Sequence, residues 1–287
     1  MTEVRLWVLP VMSLLAASAR ADELVPSEPT VPPPSTVTMQ DLGHGWLVRI
    51  DASFLAFKMA RDEHGYAGLF GIQTTVPLVG PLRASLRLPF SAGEDIFWDD
   101  SEGDHQAPAG AQSGNLSLEL QGVHDVDSSW RLGWLVRGYL PTHAGDPRLE
   151  YSLADLHAPG PARIGGSRPY GGLEARLAVG YSVPAAFFEA EIYLGSLLHE
   201  AMSRWQAGNY LYGGVSLAGG ARFAESFAVV LELAHGGWLL LPSRPSLIAG
   251  LRYESATWTA GLSLGWEFLF EPDDGPLVLD TFVGLRF

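Results

Sequence analysis

The sequence predicts an all-β fold, a transmembrane antiparallel β-barrel of twelve strands with short periplasmic turns and longer extracellular loops. Three observations carry this. Segments of about ten residues alternate apolar and polar side chains with a period of two, which places one set on each face of a strand. The connections between segments are alternately short and long, as in barrels that cross a bilayer. Charge is scarce: 17% of residues are charged and 47% hydrophobic, with 33 glycines in 287 residues, against a charged fraction of roughly 25% in an average soluble domain. That balance suits a lipid-facing surface around a polar interior.

The N-terminus is read first. Leu6 to Ala19 is mostly apolar but shorter than the ~20 residues a spanning helix needs. Ala19-Arg20-Ala21 is a small-x-small cleavage site, so residues 1–21 read as a secretory signal peptide cut after Ala21. Residues 22–43 carry Pro26, Pro29, Pro32, Pro33 and Pro34. Proline at that density opposes both ladder and helix, and a flexible periplasmic lead-in is expected. Residues 44–287 form the barrel.

The expected strands are 45–58, 66–78, 81–90, 114–124, 129–141, 170–182, 185–198, 209–222, 226–235, 246–254, 257–269 and 277–287. In the first, Trp46, Val48, Ile50, Ala52, Phe54 and Ala56 oppose Arg49, Asp51 and Ser53. In the fourth, Leu116, Leu118 and Leu120 oppose Ser117, Glu119 and Gln121. In the fifth, Trp130, Leu132, Trp134 and Val136 oppose Arg131, Arg137 and Tyr139. In the eleventh, Trp258, Leu262, Leu264 and Trp266 oppose Thr259, Ser263 and Glu267. Connections after even strands are brief, such as Val79-Gly80 and Val183-Pro184, whereas Ser91 to Ser113 and Thr142 to Pro169 are long. Aromatics gather at the strand ends, where amphipathic rings settle at headgroup depth. The expected girdle comprises Trp46, Trp130, Tyr181, Tyr253, Trp258, Phe268 and Phe287.

The last strand alternates Leu277, Leu279, Thr281, Val283, Leu285 and Phe287 against Val278, Asp280, Phe282, Gly284 and Arg286. It resembles the C-terminal strand of bacterial outer-membrane β-barrels. The resemblance spans residues 44–287 together with the leader and implies residence in the outer membrane, contact with its lipid, and recognition of Val283, Leu285 and Phe287 by the barrel-assembly machinery. Leu86-Arg-Leu-Pro-Phe90, Gly114-Asn-Leu-Ser-Leu118 and Arg137-Gly-Tyr-Leu-Pro-Thr142 are similar to segments of small barrels associated with uptake of hydrophobic or aromatic compounds. No substrate-binding residue is carried over from them.

Function is sought in the polar register, whose side chains face the lumen. Its arginines are Arg49, Arg83, Arg87, Arg131, Arg137, Arg176, Arg222, Arg252 and Arg286. Its carboxylates are Asp51, Glu119, Glu174, Glu189, Glu191, Glu232, Glu254, Glu267 and Asp280. The wall is therefore neutral, and the only lysine, Lys58, stands near a strand end. Balanced charges either line a narrow water-filled channel or pair across the lumen and fill it. Twelve strands lie between the filled eight-stranded barrel and the open sixteen-stranded porin, so size does not decide. Interior small residues, among them Gly71, Gly133, Gly180, Gly195, Gly220, Gly261 and Gly284, are expected to leave room. The favoured reading is a narrow channel for passive passage of small solutes. The alternatives are a filled structural or adhesive barrel, and a lipid hydrolase built on His199 with Ser203, or on His124 or His235 at strand ends.

Other chemistry is set aside. A net charge of −14 opposes nucleic-acid binding. The absence of cysteine removes disulfides and thiolate metal sites. Gly261-Leu-Ser-Leu-Gly265 fits G-x-S-x-G but lies within a strand, without the strand-to-helix elbow. His199-Glu-Ala-Met-Ser203 lacks the second histidine of a zinc motif. The acidic run from Glu94 to Asp104 has no EF-hand spacing and reads as a solvated loop. No enzyme, cofactor or metal is expected.

Overall fold

The computed structural model describes residues 33–36, 39–58, 64–93, 110–142, 170–199, 209–238, 244–267 and 277–287. Within them lie thirteen strands and no helix. They are β1 (Leu47–Lys58), β2 (His64–Pro77), β3 (Leu82–Gly93), β4 (Gly110–Ser113), β5 (Leu116–Asp125), β6 (Trp130–Leu140) and β7 (Tyr170–Ser182). There follow β8 (Ala186–His199), β9 (Asn209–Ala224), β10 (Phe227–Trp238), β11 (Arg244–Glu254), β12 (Trp258–Glu267) and β13 (Leu277–Arg286).

Every neighbouring pair is antiparallel, and β1 pairs with both β2 and β13, so the sheet closes on itself. The closing seam runs from Leu47↔Arg286 to Ala56↔Leu277. It is extended by reciprocal backbone bonds between Trp46 and Phe287, each 3.2 Å. Closure pairs every stave with a neighbour on both sides, as a bilayer requires because hydrocarbon offers no hydrogen-bond partner. β4 and β5 form one interrupted stave, giving a closed barrel of twelve. The sequence pattern did not separate β4. The break falls at Gly114-Asn115, opposite Pro89, which has no N–H to give the ladder and whose carbonyl accepts Gly114 N at 2.8 Å instead.

The two ends of the barrel differ. At one, the turns are 78–81, 126–129, 183–185, 225–226 and 255–257. Their chemistry is local: Gly80 has φ +55°, and the Asp127 carboxylate accepts the N–H groups of Ser129 and Trp130 at 2.7 and 2.9 Å. The long connections 94–109 and 141–169 join strands at the other end; all of the first, with the acidic run, and all but 141–142 of the second lie outside the described residues.

Burial is inverted relative to a soluble fold. On the outer face Leu173 is 59% exposed, Ile192 56% and Leu262 54%, while Glu174 and Glu232 are 0% exposed and Arg252 1%. Apolar residues thus face outward all round the cylinder and ionised ones face inward. At the short-turn end, Trp46, Trp130, Trp258 and Phe287 are exposed. Trp130 sits against Tyr181 at 4.9 Å, and Phe227 against Tyr253 at 5.1 Å. Phe268 lies outside the described residues. Val283 is exposed on the outer face and Leu285 is half-buried beside the mouth.

Candidate functional site: the lumen

Strand register builds the wall network. Glu119 of β5 lies directly opposite Arg137 of β6, and Arg137 opposite Glu174 of β7. Arg137 donates through Nε to Glu119 Oε1 at 2.7 Å and through Nη1 to Glu174 Oε1 at 2.8 Å. Two residues along the same face of β7, Arg176 donates to Glu174 at 2.6 Å and to Glu191 of β8 at 2.6 Å. Tyr212 of β9 closes the ladder by donating to Glu174 Oε2 at 2.8 Å. It reaches across Gly195, where a Cβ would lie 2.2 Å from the Tyr212 ring. Five charges from four adjacent strands are thereby buried together.

The opposite wall carries a second set. Arg252 of β11 donates to Glu232 of β10 at 2.5 Å and to Ser263 of β12 at 2.7 Å. Ser53 donates to Asp280 at 2.5 Å. Arg49 and Arg87 share Asp51, Arg87 at 3.0 Å. The Phe282 ring lies beneath Arg49 at 3.9 Å and Arg252 at 5.3 Å, a cation–π seat for both guanidiniums. Asp51 and Arg87 also line a water-sized recess of about 10 Å³ with Leu69, Gly71 and Pro89. Arg222 turns to the short-turn end and donates to Val183 O and Ser182 Oγ. Glu189 is buried, and its Oε1 has no hydrogen-bond partner among the described residues. The side chain of Glu267 lies outside the described residues.

Between the two walls lies a segment that sequence reasoning missed. The described part of the lead-in, 33–36 and 39–43, is not a free tail but crosses the lumen near the short-turn end, and residues 44–46 carry it to β1. Ser35, Thr36, Met39, Gln40 and Leu42 are all buried. Arg49 donates to Thr36 O at 3.2 Å, Arg252 to Ser35 O at 2.8 Å, Arg131 to Leu42 O at 2.9 Å and Arg83 to Asp41 O at 2.6 Å. The Asp41 carboxylate accepts Arg286 at 3.0 Å and Arg83 at 3.4 Å. Gln40 donates through its backbone N–H to Glu191 at 2.8 Å and through its side chain to Gln121 and to Trp134 O. Leu42 packs with Val123 and Ala178. Burial alone would raise the Asp41 pKa, but the Arg286 and Arg83 guanidiniums and the Gly43 N–H outweigh it and hold the carboxyl well below the usual carboxylate range. Gly45, at φ +83°, turns the segment from the lumen into β1.

The lead-in also corrects the reading of the interior glycines as open space. A Cβ at Gly133 would sit 2.4 Å from Leu42 Cδ2, and one at Gly180 2.8 Å from Leu42 Cδ1 and 3.0 Å from Pro33. One at Gly220 would strike Phe187, and one at Gly261 would strike Phe282. These glycines are notches that receive large side chains. The signal for the lead-in was present in Met39-Gln-Asp-Leu42, where proline gives way to two apolar residues around one acid.

Of the catalytic motifs, Ser263 is 2% exposed inside β12 with its Oγ accepting from Arg252, which leaves no nucleophile elbow there. Ser203 and the side chain of His199 lie outside the described residues. No group of three or more metal-ligating side chains occurs among the described residues.

The fold is that of outer-membrane β-barrels. A solved outer-membrane channel from Pseudomonas putida F1 superposes with a TM-score of 0.59 at 12% identity, over 92% of this chain and 100% of that one. The translocator domain of the autotransporter NalP from Neisseria meningitidis gives 0.50 at 13% identity, over 98% and 96%. The NanC porin gives 0.50 at 6% identity, over 84% and 98%. No protein-family description matches the sequence. No curated protein matches it either.

Proposed function

We propose that this chain is a bacterial outer-membrane barrel that passes small solutes passively through a narrow polar lumen, with the lead-in as the element that closes it. The observation that carries this reading is the division of labour inside the cylinder. The wall is a complete hydrogen-bonded barrel, and the short-turn mouth is crossed by a separate segment that is no part of that wall. The apolar outer face fits contact with membrane lipid. The superposed channel and porin support the same reading at the level of architecture. In it the short turns face the periplasm, the leader is removed after Ala21, and the strand ending in Val283, Leu285 and Phe287 is what the assembly machinery recognises. No enzymatic role is proposed.

A filled structural barrel is the second reading, favoured by the buried Glu119–Arg137–Glu174–Arg176 ladder. Planar-bilayer recordings of residues 22–287 separate the two. The channel reading expects discrete current steps that grow when the lead-in is displaced by Gly133→Leu. Silence at every voltage from both proteins, folded and inserted, establishes the filled barrel.

A further inference from the structure

The wall arginines at the short-turn mouth are not equivalent. Arg252 has Glu232, Arg131 has Asp125 at 2.6 Å, and Arg49 has Asp51. Arg83 is different: its one carboxylate partner among the described residues is Asp41, supplied by the lead-in. Arg286 shares that carboxylate and meets Glu254 only at 3.7 Å. Asp41 also fills its seat incompletely. The Nε–H groups of both Arg83 and Arg286 are buried and have no hydrogen-bond acceptor among the described residues. Arg83 is only 2% exposed. Two guanidinium forks therefore face one carboxylate with N–H groups to spare, and a buried arginine donor without an acceptor is costly. Gly43 permits the approach, since a Cβ there would lie 1.8 Å from Arg286 Nη1. Around the pair, Arg49, Arg131 and Arg252 donate to backbone carbonyls of the lead-in. Those oxygens are acceptors that a multivalent anion can replace.

We propose that Arg83 and Arg286 form a binding site for small organic carboxylates, and that Asp41 occupies it as a ligand built into the chain. The lead-in and a solute anion then compete for the same two forks. A di- or tricarboxylate satisfies more of the spare N–H groups than one aspartate does, so binding releases the lead-in and uncovers an arginine-lined mouth. This deepens the channel reading, on which it rests for the passage of the anion though not for the binding itself.

Citrate is the probe, and residues 22–287 in detergent are the protein. The chain has no cysteine, so Met39→Cys places a single thiol on the buried lead-in. The proposal expects citrate to speed maleimide labelling of that thiol by ~10-fold or more, the scale of one charge-assisted hydrogen bond. Sodium chloride at equal ionic strength should not do so. By calorimetry, Asp41→Asn should bind citrate ~10-fold more tightly than the parent, because its site is vacated. Arg83→Gln with Arg286→Gln should abolish binding. Arg83→Lys, which keeps the charge and the fold but loses the fork, should weaken it. Labelling that ignores citrate, or an equal response to chloride, overturns the proposal, as does citrate binding that survives loss of both arginines. Citrate binding without current would remove the channel and keep the site. Current without citrate binding would keep the channel and remove the site.

Discussion

Arg137 tests whether the lumen wall is a solvated lining or a buried network. The residue is 5% exposed and donates to Glu119 and Glu174 at 2.7 and 2.8 Å. With Glu191 and Arg176 these side chains make a cluster of three carboxylates and two guanidiniums. Arg137→Met keeps an unbranched apolar stem without the charge and leaves three carboxylates facing one guanidinium. Breaking a buried pair by removing one partner costs ~3–5 kcal/mol, because the charge left behind stays desolvated. An arginine in an open aqueous pore would behave as an exposed ion pair, worth about 0–1 kcal/mol. The two magnitudes do not overlap. Urea unfolding from lipid vesicles, followed by tryptophan fluorescence, reads the difference as a shift in midpoint. Adding Glu119→Gln to Arg137→Met removes the stranded carboxylate and should recover ~1 kcal/mol or more. A loss below ~1 kcal/mol for the single change, or simple additivity in the double, would refute the network and return Arg137 to a water-filled channel.

Three further outcomes follow from the same geometry. Leu262 is 54% exposed midway along β12, so Leu262→Arg should cost ~2–4 kcal/mol in bilayer-folding titrations, and a negligible cost would mean that this face does not meet lipid. Gly133→Leu should collide with Leu42 and raise chymotrypsin cleavage after Leu42 by ~10-fold or more, since cleavage tracks the undocked population; unchanged cleavage would show that the notch does not hold the lead-in. A nitroxide on Met39→Cys should report the charge on Asp41. The docked carboxyl titrates below its free value of about 3.8, so its contribution to docking is complete above that value and is lost as pH falls through the docked one. The label should stay immobile from pH 8 down to pH 5 and loosen only in stronger acid, whereas Asp41→Asn should loosen it throughout.

The cylinder was legible in the sequence because lipid imposes a rule on every strand. Ile50, Leu132, Leu262 and their outward neighbours recur at every second position, and one slip in register would bring a charge such as Arg137 or Glu174 into hydrocarbon. Strand bounds from the pattern fall within a few residues of the observed ones, and the brief turns fall where the hairpins close. The break between β4 and β5 was not legible, because its cause is Pro89 on the facing strand rather than anything at Gly114. The fates of the lumen charges were hidden for a related reason. Alternation shows that Glu119, Arg137 and Glu174 share a face, but only register sets them opposite one another. The glycines misled because a missing side chain looks the same whether it leaves a void or a notch. Gly133 became a notch only once Leu42 was found in it.

What fills the lumen therefore divides by how it is held, and the division points to a route of opening. The ladder from Glu119 to Tyr212 is locked by strand pairing, and moving one member strands a buried charge at ~3–5 kcal/mol. The lead-in is bound partly through carbonyl oxygens of Ser35, Thr36, Asp41 and Leu42, and each such hydrogen bond is worth only ~0.5–3 kcal/mol net because water can replace the oxygen. Its departure leaves Arg49, Arg131 and Arg252 still paired with Asp51, Asp125 and Glu232 on the wall. Among the described residues, only Arg83 loses its one carboxylate partner, and Arg286 keeps no more than a long contact to Glu254. The arginine pair is thus the point where withdrawal meets most resistance, and a carboxylate delivered to it is the agent that lowers that resistance.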